Sequence, residues 1–522
     1  MTSVASIGAV TTIGLTPPAT AATRAGDPPE IAAAPASAVV TLGPRTSPAL
    51  TYTSQPAAAG VVWEREPLDK VSSVIAETLS ARTLGGRLEG VAAALLDRFK
   101  TDGGNYLQSA RMPQGAGQVG ALGAVQTGSA GQPEDAYTLS ITTASGVKVE
   151  VGLRNGADGL EVQIDVAEGE LSETEREAIA GLSKAFQDAV DGMASVPPRM
   201  AWSSLAKFDT AVLSSVSLQA TTTVNGVISQ SVEFSADSKQ RSLAIKNADG
   251  VVKVDVDVSK SALFGNAQQR DAAVSDYLQQ FEAARSRGRG NEAMMSLFKD
   301  AFAELHQSYE AGAAPSSQAP RIAAAGYTYR SLLSGVADFS ASISQYGEAS
   351  NPYKPSEMDQ FTYQVSQSSS VSGRPLFDLG VNQEQRANLT ASYHTALTPQ
   401  QKLDLTSDKD SQNYRFFQIR DEVRSQTAVR YEAGMLAEAD LTRTRNLSSH
   451  MQAYVKGELI EDTLTPVLET TTRDLLSLVR AAELEPSESE RLQRRDPAAA
   501  DAVLLSKHLA LARAVARERQ PY

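Results

Sequence analysis

The chain has 522 residues, long enough for two or three domains that each bury a core. Its 48 basic residues against 61 acidic ones leave a formal charge of -13, which repels phosphate backbones and anionic lipid and sets nucleic acid and membrane surfaces aside as partners. It contains no cysteine, which excludes disulfides, thiol nucleophiles, iron–sulfur clusters and zinc–thiolate sites.

Residues 1–60 are rich in Ala, Thr, Ser and Pro without periodicity and read as a disordered tail. Arg24 is the first basic residue, and Pro17 and Pro18 break the apolar run, so a secretory signal is not expected. Cytoplasmic location is the default reading, with leaderless export left open. No stretch approaches the ~18 apolar residues of a membrane-spanning helix. From Pro67 the pattern turns helical: Leu68, Val71, Ile75 and Leu79, then Leu88, Val91, Leu95 and Phe99 beyond Gly85 and Gly86. Residues 61–134 are thus expected to be a helical hairpin followed, from 101, by a Gly- and Gln-rich linker.

At 135 the period becomes two. Tyr137, Leu139 and Ile141, then Val147, Val149 and Val151, then Leu160, Val162, Ile164 and Val166 predict three strands with turns at Ser145-Gly146 and 155–159. A helix with Ile179, Leu182, Phe186 and Val190 on one face follows. "TLSITTASGVKVEV" (138–151) lines up with "SLAIKNADGVVKVDV" (242–256), and helical stretches through Val274, Leu278 and Phe281 and through Met295, Phe298, Phe302 and Leu305 come after the second copy. Residues 135–310 therefore read as a meander-plus-helix domain, with a possible repeat of 137–195 in 211–310. Residues 311–350 read as a linker with a short helix.

The remainder, 351–522, reads as long antiparallel strands with two terminal helices, near 464–483 and 498–518. Phe361, Tyr363 and Val365 mark one strand, and Leu389 to Leu397 a second. From Phe417 to Ala433 one face is charged and the other mostly apolar, and Ala433-Gly434 turns the chain into a partner strand at Met435. Such strands exceed about 50 Å, well beyond ordinary length.

Several constellations invite a chemical reading. Glu168, Glu170, Glu173, Glu175 and Glu177 crowd "AEGELSETEREAI" (167–179). Ser172 and Glu175 match a capping box, and Glu173 and Glu177 complement the helix dipole, so a strand-to-helix joint is expected instead of a catalytic pair. "VKGELIEDTLTPVL" (455–468) repeats that grammar and predicts a second joint. "GAGQVG" (115–120) matches a dinucleotide fingerprint by letter but lacks the strand before it and the helix after it, so it reads as linker. His306, His394, His450 and His508 are not at metal-ligand spacing, and no nucleophile elbow accompanies them. "RSRGRG" (285–290) reads as a flexible positive loop, and "RLQRR" (491–495) is the other basic run.

The succession of that joint, an amphipathic helix and "LAKFDTAVLSSVSLQA" (205–220) resembles a bacterial protein family of unassigned function, as does the extended segment 414–440. The spacer "MASVPPRMAW" (193–202) departs from it. The resemblance implies no catalytic residue. The expected class is α+β, and the expected function is a non-enzymatic interaction or scaffolding protein with a protein partner, no cofactor, and no assigned catalytic or metal-binding residue. Two alternatives stay open. One is a hydrolase with a carboxylate or serine site between sheets. The other is a carrier of apolar molecules in a concavity lined by Val423, Val429 and Tyr431.

Overall fold

The computed structural model describes residues 61–112, 135–309 and 329–483, apart from 157–158, 168, 196–198, 200, 374–376 and 399. The 1–60 tail, the 115–120 glycines, the 311–326 linker, the 491–495 arginines, His508 and the 498–518 helix lie outside these residues.

The chain opens with β1 (Val62–Trp63), α1 (Lys70–Thr78), α2 (Leu84–Leu88), α3 (Val91–Asp97) and β2 (Tyr106–Arg111). A meander follows, of β3 (Asp135–Thr143), β4 (Lys148–Gly156) and β5 (Gly159–Val166), and leads into α4 (Glu173–Gly181) and α5 (Ser183–Ala194). A second meander, β6 (Leu213–Val224), β7 (Val227–Asp237), β8 (Gln240–Asn247) and β9 (Gly250–Asp257), leads into α6 (Ala267–Gly288) and α7 (Glu292–Gln307). Then come β10 (Asp338–Gln345), β11 (Gln360–Ser372), β12 (Gly380–Ala396), β13 (Tyr414–Glu432), β14 (Met435–Val455), β15 (Glu458–Asp474) and α8 (Leu476–Glu483). This is the α+β class expected.

All 15 strands form one antiparallel sheet, in the order β1-β2-β5-β4-β3-β6 and then consecutively to β15. Two separate sheets were expected, with 311–350 between them. Instead β10 occupies the end of that segment and pairs with β9 from Asp338↔Asp257 to Gln345↔Gly250, then with β11 on its other side. The supposed linker at 101–134 likewise begins with a strand, β2. Its alternation is masked because Gln108 points inward, where its amide donates to the Ser72 hydroxyl (2.9 Å) and the Arg65 carbonyl (3.2 Å). The two similar hairpins, β3–β4 and β8–β9, both exist, but β5 separates the first from its helices whereas α6 follows β9 without another strand.

The second strand-to-helix joint is not one. Lys456 and Gly457 have φ of 48° and 74° and form a two-residue turn between β14 and β15, as Ala433 and Gly434 (49° and 79°) do between β13 and β14. Two positive φ values in succession match the right-handed twist of a hairpin. The helix expected from 464 starts only at Leu476. Pro466 and the β-branched run Thr470–Thr472 keep the preceding residues extended.

The helices lie against one face of the sheet, and the main core is between them. Under β9–β11 it is aromatic: Phe281 stands 4.7 Å from Phe298 and 5.8 Å from Tyr363, and Phe302 stands 5.0 Å from Phe339, ring centre to ring centre. Among the described residues no helix is long and apolar enough to cross a membrane. Phe302 is fully buried, so Phe302→Ala is expected to lower the unfolding free energy by about 3–5 kcal/mol in denaturant titration.

Candidate interaction surface

Period two divides the long strands into two different faces. In β13, Ile419, Asp421, Ser425, Thr427, Val429 and Tyr431 are buried beneath the helical layer, while Gln418, Arg420, Glu422, Arg424 and Arg430 are exposed on the other side. The registers carry the exposed set across to Arg386 and Glu384 on β12 and to Ser448, Asn446 and Thr444 on β14. This bare face is laced by ion pairs: Glu384 joins Arg424 (2.8 Å) and Arg386, and Arg430 joins Glu438 (2.9 Å) and Glu432. Exposed pairs of this kind add about 0–1 kcal/mol each. They fix a pattern of charge more than they stabilise the fold.

On the helical side Asp421 is the single acid among inward residues of β13. Its carboxylate accepts from Arg445 on β14 (3.1 and 3.0 Å) and from Arg287 near the end of α6. Beside it a cleft of about 30 Å³, bordered by Ala284, Tyr363, Leu389 and Val423, has room for one or two waters. The concavity expected around Val423, Val429 and Tyr431 is not formed by these three together. Val429 and Tyr431 belong to a separate packed cluster with Leu332, Val381, Leu441 and Val479.

Arg287 belongs to "RSRGRG", which is not a flexible loop. Arg285, in the last turn of α6, bonds Glu282 (2.6 Å), Arg289 is a left-handed cap lying 5.8 Å over the Tyr393 ring, and Gly290 leads to α7. The glycines are there for contact: a Cβ on Gly288 would come within 2.8 Å of the Phe361 ring.

One end of the bare face is closed by the segment before β11. His394 on β12 is sandwiched by Tyr414 and Phe416, with ring centres 5.0 and 4.7 Å away. Its Nδ1 donates to Asp359 Oδ1 (2.6 Å), and its Nε2 meets Glu357 Oε2 (3.2 Å), which also accepts from the Tyr414 hydroxyl (2.6 Å). Lys354 completes the group, 3.4 Å from Glu357 and 3.3 Å over the Tyr454 ring. Burial pulls the imidazole pKa down, but the hydrogen bonds to Asp359 and Glu357 outweigh it and hold His394 above its usual 6.5. Burial alone would raise the Glu357 pKa. Its bonds from His394 and Tyr414 lower it instead.

The other singled-out residues have structural partners. Glu175 sits at the third position of α4, where it accepts from the Ser172 N–H (2.9 Å) while its own N–H donates to the Ser172 hydroxyl oxygen (3.3 Å), the two bonds of a capping box. It also accepts from the Ser145 hydroxyl (2.6 Å) in the β3–β4 turn, a bond that with the Ser172 amide holds its pKa down at about 2. The glutamate therefore ties a hairpin turn to a helix start. Glu170, Glu173 and Glu177 are exposed, and Glu168 lies outside the described residues. Buried His306 is pushed down to about 3 by desolvation and bonds Tyr309 (2.7 Å), while His450 bonds Asp462 (2.5 Å). Among the described residues no group of His, Asp or Glu is arranged to hold a metal ion.

Sequence reading did not find the His394 group, whose members come from three separate segments. The acid at 421, by contrast, stands out as the one acid in an inward-facing row. No family model matches the chain, and no curated protein and no solved structure matches it. The family resemblance therefore rests on the quoted segments alone.

Two outcomes follow. Asp421→Ala strands two arginines and is expected to cost about 3 kcal/mol by denaturant titration, near the low end for a buried pair because Arg287 keeps contact with solvent. Because His394 has a raised folded pKa, its stabilisation is full below 6.5 and is lost as pH rises through the folded value. Unfolding free energy measured from pH 5 to 9 should fall across that window in the native chain, and His394→Asn should flatten that step.

Proposed function

We propose that the protein is a non-enzymatic interaction module that docks a protein partner on the bare face of β11–β14. The observation that carries this reading is that strands of 13, 17, 19 and 21 residues leave one face free of helices among the described residues, with Arg420, Glu422 and Arg424 alternating on β13 beside Glu384 and Arg386 on β12. At about 3.3 Å per residue, β13 alone runs about 60 Å. A surface of that length exceeds what the core needs for burial, since the helices already cover the opposite face. Its mixed charges favour a partner whose own surface carries both signs in a complementary order.

The test uses the full chain with a photo-crosslinking residue at Glu422, on the bare face, or at Asp188, on α5 in the helical layer, in an extract of the source cells. The same protein should be captured from Glu422 and not from Asp188. Combining Arg420→Glu with Arg424→Glu should reduce capture about tenfold, roughly 1.4 kcal/mol of binding. No capture from Glu422, or capture unchanged by the charge reversal, overturns the reading.

A further inference from the structure

The helical side of the long strands holds a polar group that the fold itself does not use. Tyr363 on β11 is 3% exposed, and its hydroxyl makes no hydrogen bond among the described residues. A buried hydroxyl without a partner is destabilising, so an orphan of this kind points to something that completes it. Tyr363 borders the cleft beside Asp421, and the charges that act on its hydroxyl are those of Arg287 and Asp421, which border the same cleft. Burial raises its pKa, which keeps the phenol protonated and able to donate. The charges around it do not balance. Arg445 takes both oxygens of the Asp421 carboxylate through Nε and Nη2, and Arg287 reaches the same carboxylate through Nη1. Two guanidiniums thus face one carboxylate, and Arg287 keeps N–H groups on its other nitrogens. Glu469, opposite Arg445 on β15, also acts on that arginine, but it is exposed and solvent screens it.

We propose that this cleft, between α6 and strands β11–β14, is a halide site in which the Tyr363 hydroxyl and the Arg287 guanidinium hold a single chloride ion. The surplus positive charge selects an anion, and Arg445, by pairing with both oxygens of Asp421, offsets the repulsion between that carboxylate and the ion. Size selects which anion. A space of about 30 Å³ takes one or two waters, and therefore a monatomic ion with one water at most, not the five heavy atoms of sulfate or phosphate. The walls are apolar, from Ala284, Ala387 and Leu389, which suits an ion that gives up its water without great cost. A water could complete the Tyr363 hydroxyl, but it would leave the surplus charge unpaired. The Arg287 side chain is 35% exposed, so the cleft meets solvent at that residue and the ion can enter the folded chain. Once bound, it joins α6, through Arg287, to β11, through Tyr363, in addition to the bond that Arg287 makes to β13.

Bromide is the test ion, because it scatters anomalously and stands in for chloride. In crystals of the full chain grown in sodium bromide, an anomalous peak is expected within bonding distance of Tyr363 Oη and the Arg287 guanidinium. In solution, with ionic strength held constant by sodium gluconate, the thermal midpoint should rise with bromide and then saturate. Tyr363→Phe removes only the hydroxyl. In gluconate alone it should leave the midpoint at or above that of the native chain, which checks that the fold persists. In bromide it should raise the half-saturating concentration about tenfold, through the loss of one charge-assisted hydrogen bond. An anomalous map with no bromide in the cleft, whether or not bromide sits elsewhere, overturns the proposal. So does a midpoint that climbs without saturating, which is a general salt effect, or a bromide dependence that Tyr363→Phe leaves unchanged.

Discussion

A sheet of fifteen strands has to bury one of its faces, and the rest of this molecule follows from how that is done. The chain interrupts its meanders with helical pairs, α4–α5 and then α6–α7; α7 returns over β8 and β9, while α6 lies against β12, a strand made after it. Leu139, Val151, Val162, Leu218, Val254 and Phe339 all point to that side. A fully buried aliphatic or phenyl side chain contributes about 1.5–3 kcal/mol, so the helical layer and the inward rows are mutually dependent. Neither folds to advantage alone.

The cover thins where the strands become longest. Over β13 and β14 the apolar layer gives way to Asp421, which Arg287 holds from α6 and Arg445 from β14. The carboxylate replaces hydrophobic contact with a charge-assisted bond between helix and strand at the limit of the helical layer. Beyond it Leu475 and, from α8, Val479 cover one end of β14, and the bare side is closed at the opposite end by the His394 group. Between these closures the sheet is held by its backbone ladders and by surface ion pairs.

Local structure was legible in the sequence, and the global arrangement was not. The alternation at 137–166, the capping box at Ser172 and the turn at Ala433-Gly434 each encode a conformation within a few residues, and each is found in place. Sheet membership depends on pairings such as Ser340↔Asp255, which no local pattern announces, so two sheets were expected where there is one. The helix expected from 464 erred because Leu464, Val467 and Leu468 fit helical spacing as well as they fit a strand. Pro466 and the threonines were the stronger signal. The His394 group was invisible for another reason: Glu357 and Asp359 reach it from outside the strand, across a register that only folding defines.

The same physics governs how the two margins of this sheet meet a further strand. One margin is β1, two residues long, which leaves almost no ladder to copy. The other, among the described residues, is β15, long enough to recruit strands, yet it carries a proline at its middle and five acids along its length. Pro466 removes a donor where an incoming strand would need one, and the acids repel an identical edge. These devices act on the edge and leave the face untouched. Leu464 and Leu468 therefore remain accessible to something that packs from above, while strand addition alongside is opposed. The sequence around Pro466 is thus selective about geometry: it opposes a strand at the margin without altering the face.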